Sequence, residues 1–346
     1  MPHEFQFTTG ATSAVATLNS SQNHLNCINK LMNGFQLIPV KHWVKSIILS
    51  VLSLIVVVAC SSQPKVQTSP MAASDSTTQL TELKFGVGPY FPTPGENSKQ
   101  FEPLFNELAR GLNLKAKVTV TEDWVGISEA LRSGTLDAAW LGPWGYVLSN
   151  HNEPSIKAIA TVKYKDKPTY NAVLMARADA PFSTLDEAIA QSKEGNKLKL
   201  SLADVGSTSG WLIPQAEFKR RNLDPKTAFD YNEGASHAAQ AIAVISGQTD
   251  IASDYDRNLD VLASTGRIDK SKIKIIWQSE PLPNDPIAVR GGFPEDIKAK
   301  LQQELVNFSP EQAKKFLPEN FTGFVTSDGS NYSPIQAAGK SVGKLK

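Results

Sequence analysis

The sequence predicts an α/β fold of two units, each built on a mainly parallel sheet flanked by helices. From Leu83 onward, short segments with the alternation typical of strands are followed by segments whose apolar residues recur at helical spacing. The series restarts after Arg177, and 346 residues are enough for two compact units. A strand–helix–strand series of this kind has its ligand-binding loops at the carboxyl ends of the strands.

The first unit is predicted over residues 83–175. Strands are expected where apolar and polar residues alternate, and helices where apolar residues return every three or four positions. Gly88 ends the first strand and Gly134 ends the second helix. The expected strands are Leu83–Val87, Ala116–Val120, Ala138–Leu141, Ile156–Thr161 and Asn171–Ala176, and the expected helices are Phe101–Leu112 and Val125–Ser133.

The second unit is predicted over residues 176–280, and residues 281–346 are expected to return to the first unit and end in helices. Ser183 is predicted to cap the first helix, with Asp186 completing a capping box. The other expected elements are strands Lys197–Leu202, Ile251–Ala252, Ile273–Trp277 and Ile287–Arg290, and helices Thr184–Gln191, Ala235–Ser246, Glu295–Phe308 and Pro310–Phe316. A cleft between two such units is a common place for a ligand.

Charge and cysteine content exclude several classes of function. The chain has 35 basic and 34 acidic side chains and no basic run, so no nucleic-acid partner is expected. Its two cysteines are Cys27 and Cys60, so neither a disulfide nor a thiolate metal site is predicted in the folded part. The five histidines show no paired metal-ligand spacing. No metal and no cofactor are therefore expected.

The N-terminal region is predicted to direct export. The apolar run Ile47–Ala59 follows Lys41 and Lys45, and it is shorter than the roughly 20 residues that cross a bilayer, so a signal peptide is indicated. Its end, Val57–Cys60, resembles the lipobox of bacterial lipoproteins. That resemblance implies a lipidated Cys60 at the mature N-terminus and anchoring on the periplasmic side of the membrane. A buried apolar element that ends in a chance cysteine is the alternative.

The residues before and after this signal are not expected to join the fold. Residues 1–59 are assigned to an upstream segment and the signal peptide. Residues 60–82 are rich in serine, threonine and glutamine and are predicted to form a flexible tether.

A hydroxyl-rich segment marks the predicted binding site. Ser207, Thr208 and Ser209 lie between Gly206 and Gly210, where a strand gives way to a helix. Hydroxyls and free backbone N–H groups at a helix N-terminus bind a tetrahedral oxyanion, and the helix dipole assists them. The glycines allow close approach of the backbone. The alternative is a helix cap with no ligand.

Two further polar residues are candidates for the same site. His237 begins a predicted helix and can donate a hydrogen bond to an anion, although a cap or surface histidine is the simpler interpretation. Asp285 lies in the segment that returns to the first unit. A carboxylate suits an anion site only if it accepts a proton carried by the ligand or holds a donor in place, and otherwise Asp285 is a turn residue before proline.

One set of features spread over Leu83 to Phe316 occurs in combination: Asp123–Ile127, Asp137–Gly142, Tyr170, Ser207–Gly210, His237 and Asp285–Pro286. In this combination the chain resembles the PhnD family, the phosphonate/phosphite substrate-binding proteins of ABC importers. The resemblance implies a two-lobed periplasmic-binding-protein fold of type II that closes on its ligand. It also implies that the three hydroxyls and His237 hold the phosphonate oxygens. Tyr170 and Trp124, which stands where tyrosine is usual, would complete the pocket.

The same resemblance guides the choice of ligand. In family members that bind aminoethylphosphonate, a glutamate helps to hold the amine, whereas the matching position here is Arg257, next to Asp256 and near the candidate ligand residue Tyr255. An arginine cannot accept a hydrogen bond from an ammonium group. Phosphite or methylphosphonate, which lack a charged tail, is therefore expected in preference to aminoethylphosphonate.

The partners implied are the permease and ATPase subunits of an ABC importer, with the binding protein itself a monomer and not an enzyme. A hydrolase is the first alternative, but the chain order Ser209, His237, Asp285 differs from the Ser, Asp/Glu, His order of α/β-hydrolases. A sensor that presents the bound anion to a membrane kinase or chemoreceptor is the second alternative.

Overall fold

The structure is a computed structural model that describes residues 80–193 and 196–346. The predicted signal peptide, the lipidation site Cys60 and the tether as far as residue 79 lie outside the described residues. Among the residues that are described, no helix is both long enough and apolar enough to cross a membrane.

The elements alternate along the chain as the sequence predicts. The strands are β1 (Glu82–Val87), β2 (Lys115–Val120), β3 (Ala138–Trp140), β4 (Lys157–Tyr164), β5 (Thr169–Tyr170), β6 (Ala172–Arg177), β7 (Lys199–Ala203), β8 (Asp230–Ala235), β9 (Ile251–Tyr255), β10 (Ile273–Gln278), β11 (Leu282–Pro283), β12 (Pro286–Val289) and β13 (Phe321–Thr326). The helices are α1 (Pro94–Gly111), α2 (Trp124–Arg132), α3 (Pro143–Asn152), α4 (Leu185–Lys193), α5 (Ile213–Arg220), α6 (Pro225–Ala228), α7 (His237–Ser246), α8 (Asn258–Ser264), α9 (Glu295–Val306), α10 (Pro310–Phe316) and α11 (Ser333–Ser341). A π-helical turn, Thr208–Leu212, leads directly into α5.

Two sheets define two lobes. The sheet of lobe 1 has the strand order β13-β4-β12-β3-β1-β2, and the sheet of lobe 2 has the order β10-β6-β9-β7-β8. The pairs β1–β2, β1–β3, β7–β8 and β7–β9 are parallel, as the strand–helix–strand series predicts. The strands on the other side of each sheet pair antiparallel. The predicted two-lobed α/β fold is confirmed, with its parallel pairs confined to one side of each sheet.

The chain passes between the lobes twice, and the two passages lie side by side. Strand β5 on the outward passage pairs antiparallel with β11 on the return. The boundary predicted between residues 175 and 176 falls inside β6, which pairs along its length with β9 and β10 of lobe 2. The predicted boundary thus falls within one unbroken buried strand, and such a strand carries no sign in the sequence of where one lobe ends.

Helix starts depart from the sequence pattern where capping decides them. Helix α1 begins seven residues before the predicted Phe101, because the Thr93 hydroxyl accepts a hydrogen bond from the Glu96 N–H at 3.2 Å and Pro94 suits the first turn. The predicted cap of α4 is wrong by one position. The Thr184 hydroxyl accepts from the Glu187 N–H at 3.2 Å, and the Glu187 carboxylate accepts from the Ser183 N–H at 2.6 Å.

Candidate ligand-binding site

A small cleft lies between the lobes and leaves about 30 Å³ open to the centre of a water-sized molecule. It is lined by Tyr90, Trp124, Gly142, Pro143, Tyr170, Ser207, Thr208, Ser209, His237, Tyr255, Arg257 and Asp285. The structure thus brings all the predicted ligand residues to one place: Trp124, Tyr170, Ser207, Thr208, Ser209, His237, Tyr255 and Asp285. Their role in binding stays a prediction. Tyr90 was not predicted, and Arg257 was considered only as a replacement for glutamate.

The three consecutive hydroxyls begin the π-helical turn at the end of β7 and are all buried. The Ser207 hydroxyl accepts a hydrogen bond from the Gly210 N–H at 3.1 Å, so it caps the helix as the simpler alternative proposed. The same oxygen lies 3.1 Å from His237 Nε2. The cap and the candidate anion site are therefore formed by the same atoms. We call Ser207, Thr208, Ser209 and His237 the cradle.

Glycine is required on both sides of the three hydroxyls. A Cβ atom at Gly210 would lie 2.4 Å from Ala203 Cβ and 3.0 Å from His237 Cε1. At Gly206 it would lie 2.8 Å from Trp124 Cβ, which belongs to the opposite lobe. The sequence predicted that the two glycines allow a close approach to the backbone. In the structure the atoms that approach them closely belong to the protein itself.

His237 is held in a fixed orientation by a buried carboxylate. Its Nδ1 lies 2.9 Å from Oδ1 of Asp254, which is fully buried on β9. Asp254 also accepts hydrogen bonds from the Tyr255 N–H at 2.8 Å and from Asn258 Nδ2 at 2.9 Å. Asp254 thus orients the imidazole so that Nδ1 faces the carboxylate and Nε2 faces Ser207. Asp254 was missed because an acidic residue inside an apolar strand carries no local motif.

Asp285 is anchored on the lobe 1 side of the cleft. Its Oδ2 accepts a hydrogen bond from Trp140 Nε1 at 2.9 Å. Burial raises the pKa of the Asp285 carboxyl, and the charge of Arg257 and the hydrogen bond from Trp140 oppose that rise. The structure therefore gives Asp285 a protein donor, one of the two roles under which a carboxylate suits an anion site.

Arg257 is the cation of the cleft. It is 6% exposed, and its Cζ lies 4.6 Å from the ring centroid of Tyr164, 5.2 Å from that of Tyr170 and 5.5 Å from that of Phe321. Such cation–π contacts offset part of the cost of burying the charge. Burial by itself lowers the pKa of Arg257, but the acidic groups around it, including the Asp285 carboxylate, raise the pKa overall, so the guanidinium stays charged.

Tyr90 completes the aromatic wall. It follows Gly88 and Pro89 at the carboxyl end of β1, and its ring centroid lies 6.1 Å from that of Tyr255 in lobe 2. Burial raises the pKa of Tyr90 well above its usual range, so the phenol is neutral and can donate a hydrogen bond. Its position after a parallel strand was the available signal, because ligand groups gather at that edge of a sheet.

Several contacts join the lobes around the cleft. The Thr208 hydroxyl in lobe 2 accepts a hydrogen bond from the Trp144 N–H in lobe 1 at 2.8 Å. Glu96 near the start of α1 forms an ion pair with Arg267, which follows α8. The lobes are therefore in a closed arrangement, and one hydroxyl of the cradle takes part in the closure.

Comparison with known proteins supports this architecture and identifies the family. Residues 85–332 match the family model described as the periplasmic substrate-binding protein of phosphonate ABC transporters. This chain belongs to that family.

Family members with curated functions are distant relatives. The phosphonates-binding periplasmic protein of Escherichia coli is 27% identical over 220 residues, which cover 64% of each chain. The phosphate-import protein PhnD of Mycolicibacterium smegmatis is 24% identical over 259 residues, which cover 70% of this chain and 75% of that protein. The match therefore spans less than two thirds of the first relative and three quarters of the second.

Two solved structures share the fold. The binding component of an ABC phosphonate transporter from Pseudomonas aeruginosa has a TM-score of 0.68 at 25% identity and covers 75% of this chain and 85% of its own. PhnD1 from Prochlorococcus marinus, solved with methylphosphonate, has a TM-score of 0.66 at 19% identity and covers 77% of this chain and 99% of its own. At that identity, the likeness to PhnD1 shows the fold alone.

Proposed function

We propose that this family member is an extracytoplasmic solute-binding protein that binds phosphite or a small phosphonate and delivers it to the permease and ATPase of an ABC importer. The observation that carries this proposal is the cradle. Three buried hydroxyls, the start of a helix and an oriented His237 converge in a closed cleft between two lobes.

The chemistry of the cradle suits a tetrahedral oxyanion. Helix N–H groups and hydroxyls can donate several hydrogen bonds to one anion, and the positive end of the helix dipole favours negative charge there. His237 is held by Asp254 so that Nε2 faces the same space as the Ser207 hydroxyl. Hydrogen bonds to a charged group contribute about 1.5–3 kcal/mol each, so a few of them account for selective binding.

The walls of the cleft favour a ligand without an amine. Arg257 is a buried cation beside Tyr170 and Tyr255. It would repel an ammonium group, so phosphite or methylphosphonate should bind more tightly than aminoethylphosphonate.

Binding would be coupled to closure of the lobes. The cradle belongs to lobe 2, whereas Tyr90 and Trp124 come from lobe 1, so a ligand between them contacts both. The lobe boundaries that we propose from the strand pairing lie near residues 171 and 284, where the paired strands β5 and β11 form the hinge. Closure around the anion would present one shape to the permease, and opening would release the ligand.

We also propose that the protein is a monomer anchored to the membrane through a lipid on Cys60. The proposal rests on the apolar run Ile47–Ala59 and the lipobox-like Val57–Cys60. Mass spectrometry of the mature protein from a bacterial host should find an acylated N-terminal Cys60, and Cys60→Ser should release the protein from membranes. A processed, soluble, unacylated wild-type protein would contradict the anchor.

Two substitutions test the cradle. Ser207→Ala and His237→Ala should each weaken binding of phosphite and methylphosphonate by at least about tenfold, because each removes a hydrogen bond to the anion. Isothermal titration calorimetry measures the affinities. Ser246→Ala, in the exposed last turn of α7, is the matched control and should bind as the wild type does. Unchanged affinity in both cradle variants would refute this assignment of the site.

A hydrolase is the second candidate, because one set of contacts favours it. Ser207, His237 and Asp254 are linked at 3.1 Å and 2.9 Å, whereas the serine and the acid considered from the sequence were Ser209 and Asp285. The Ser207 oxygen, however, already accepts the Gly210 N–H as a helix cap. We therefore expect no turnover of phosphate or carboxylate esters by the purified protein, and measurable turnover abolished by Ser207→Ala would establish the enzyme.

A further inference from the structure

Arg257 and the cradle have two tyrosine rings as common neighbours. Tyr255 has its ring centroid 4.9 Å from that of His237 and 5.8 Å from Arg257 Cζ. Tyr170 has its ring centroid 5.2 Å from Arg257 Cζ, and its phenol oxygen is within hydrogen-bonding reach of Ser209 and Thr208. Arg257 lines the same cleft as the cradle, so a ligand whose phosphorus oxyanion lies in the cradle can reach Arg257 with its tail.

Two of the three guanidinium nitrogens of Arg257 lack a hydrogen-bond acceptor among the described residues, while the Tyr90 side chain is within hydrogen-bonding reach of the guanidinium. Its Nε and Nη1 are buried and have no hydrogen-bond partner among the described residues. Aromatic rings surround the guanidinium. Their cation–π contacts stabilise its positive charge, but they do not provide oxygen or nitrogen acceptors for its N–H groups. A buried donor without an acceptor is costly, so these two nitrogens are suited to an acceptor that the ligand supplies.

We propose that Arg257 binds a second acidic group on the ligand, so that the site takes a short phosphonate whose tail ends in a carboxylate. This inference rests on the proposed function, because the phosphonate end uses the cradle. The planar guanidinium matches a carboxylate in a paired, charge-assisted geometry that neither a methyl group nor an amine can use. Phosphonoacetate is the simplest compound with both groups.

Arg257 also borders a second cavity next to the ligand cleft. Tyr90, Tyr255 and Arg257 line both the ligand cleft and a second cavity of about 280 Å³, whose polar lining includes Lys165, Asn320, Asp260 and Glu319. A small movement of the guanidinium toward this cavity would lengthen the cleft. Asp285 opposes the tail carboxylate when ionised, so the expected gain in affinity is the difference between the two effects.

The test compares four ligands by calorimetry on the purified protein: phosphite, methylphosphonate, phosphonoacetate and aminoethylphosphonate. Phosphonoacetate should bind at least about tenfold more tightly than methylphosphonate, equivalent to about 1.4 kcal/mol. In Arg257→Met this advantage should disappear, so that the ratio of the two dissociation constants approaches one. Arg257→Lys keeps the positive charge but lacks the planar guanidinium that pairs with a carboxylate. It should retain part of the preference for phosphonoacetate over methylphosphonate.

Each other outcome has a defined meaning. Equal affinity of the wild type for phosphonoacetate and methylphosphonate overturns the inference and leaves the proposed function intact. Equal weakening of both ligands by Arg257→Met also overturns it, because Arg257 would then contact the phosphorus oxyanion itself. If no phosphorus compound binds the wild type, the proposed function fails and the inference fails with it. The wild-type comparison decides the question even if Arg257→Met does not fold.

Discussion

Asp285 illustrates at the scale of one residue how burial and charge set the protonation of a group. The carboxyl is buried, receives the Trp140 N–H and faces Arg257, and its pKa is raised because the effect of burial outweighs the other two. A carboxyl whose pKa is higher in the folded than in the unfolded protein binds its proton more tightly when folded. Ionisation of Asp285 therefore lowers the stability of the fold as pH rises through the raised pKa.

Asp285→Asn should make the protein more stable than the wild type at pH 7, because the amide stays neutral and can still accept from Trp140. The difference should disappear near pH 4, close to the pKa of an aspartate in the unfolded chain, about 3.9. Urea unfolding at both pH values measures the difference. Asp269→Asn is a control of opposite sign, because hydrogen bonds from Ser271 lower the pKa of that exposed carboxyl. A less stable Asp285→Asn at pH 7 would contradict the argument.

The residues of the site differ in how far the sequence revealed them. Ser207–Gly210 forms a contiguous pattern with a chemical meaning, so its place in the cleft could be predicted. Asp254 and Tyr90 could not be predicted in this way, because each acts through a neighbour that is distant in the sequence. Asp254 lies 17 positions from His237, and Tyr90 meets Tyr255 from the other lobe.

At the scale of elements, the turn Thr208–Leu212 depends on the close packing of β7 behind it. Gly210 lies against Ala203 in β7 and against His237, and no heavier residue fits between them. The turn therefore keeps its hydroxyls and the histidine at a fixed spacing. A helix start held this way is pre-organised for an anion, since little ordering remains to be done on binding.

Gly210→Ala should destabilise the protein by about 1–3 kcal/mol, as overpacking does, and should weaken phosphonate binding by at least about tenfold. Thermal unfolding and calorimetry measure the two effects. The double variant with Ala203→Gly removes the 2.4 Å contact and should recover part of the stability. It should not recover the affinity, because the contact with His237 at 3.0 Å persists. Wild-type affinity in Gly210→Ala would refute this account of the turn.

Apolar periodicity in the sequence predicted the helices and strands that bury one face. It missed elements that do not bury a single face. Helix α1 was recognised through Phe101, Leu104 and Leu108, which are all buried. Helix α3 was missed, because six of its ten residues, Pro143–Val147 and Ser149, are buried and form no single apolar stripe. Gly142–Pro143 suggested only a turn. Strand β13 lies beyond the last element predicted and joins lobe 1 through a pairing with β4 that sequence patterns do not specify.

The whole molecule works through the contact of its lobes, which no local pattern predicts. Trp124 of lobe 1 lies against Gly206 of lobe 2, and the Thr208 hydroxyl meets the Trp144 N–H. The apparent affinity for ligand is proportional to the fraction of molecules that can adopt this closed arrangement. A change that opens the contact should therefore weaken binding without touching the ligand.

Gly206→Ala tests this coupling. Its Cβ would lie 2.8 Å from Trp124 Cβ and 3.1 Å from the Trp124 carbonyl carbon, so full closure would be prevented. Affinity for methylphosphonate should fall by at least about tenfold, while the stability of the fold changes by less than about 1 kcal/mol, because both lobe cores are intact. Gly95→Ala, where no atom lies within 4 Å of the new Cβ, is the control. Normal affinity in Gly206→Ala would show that closure at this contact is not required.

The position of Trp124 has one practical consequence. Its indole is partly exposed at the line where the lobes meet, whereas Trp140 and Trp144 are fully buried within the fold. Opening of the cleft would transfer this one ring into water and leave those two in place. Trp124 can therefore serve as an intrinsic fluorescent probe of closure. Addition of ligand should shift tryptophan emission to shorter wavelength, and the shift should be lost in Trp124→Phe, so binding can be followed in a fluorimeter without any added dye.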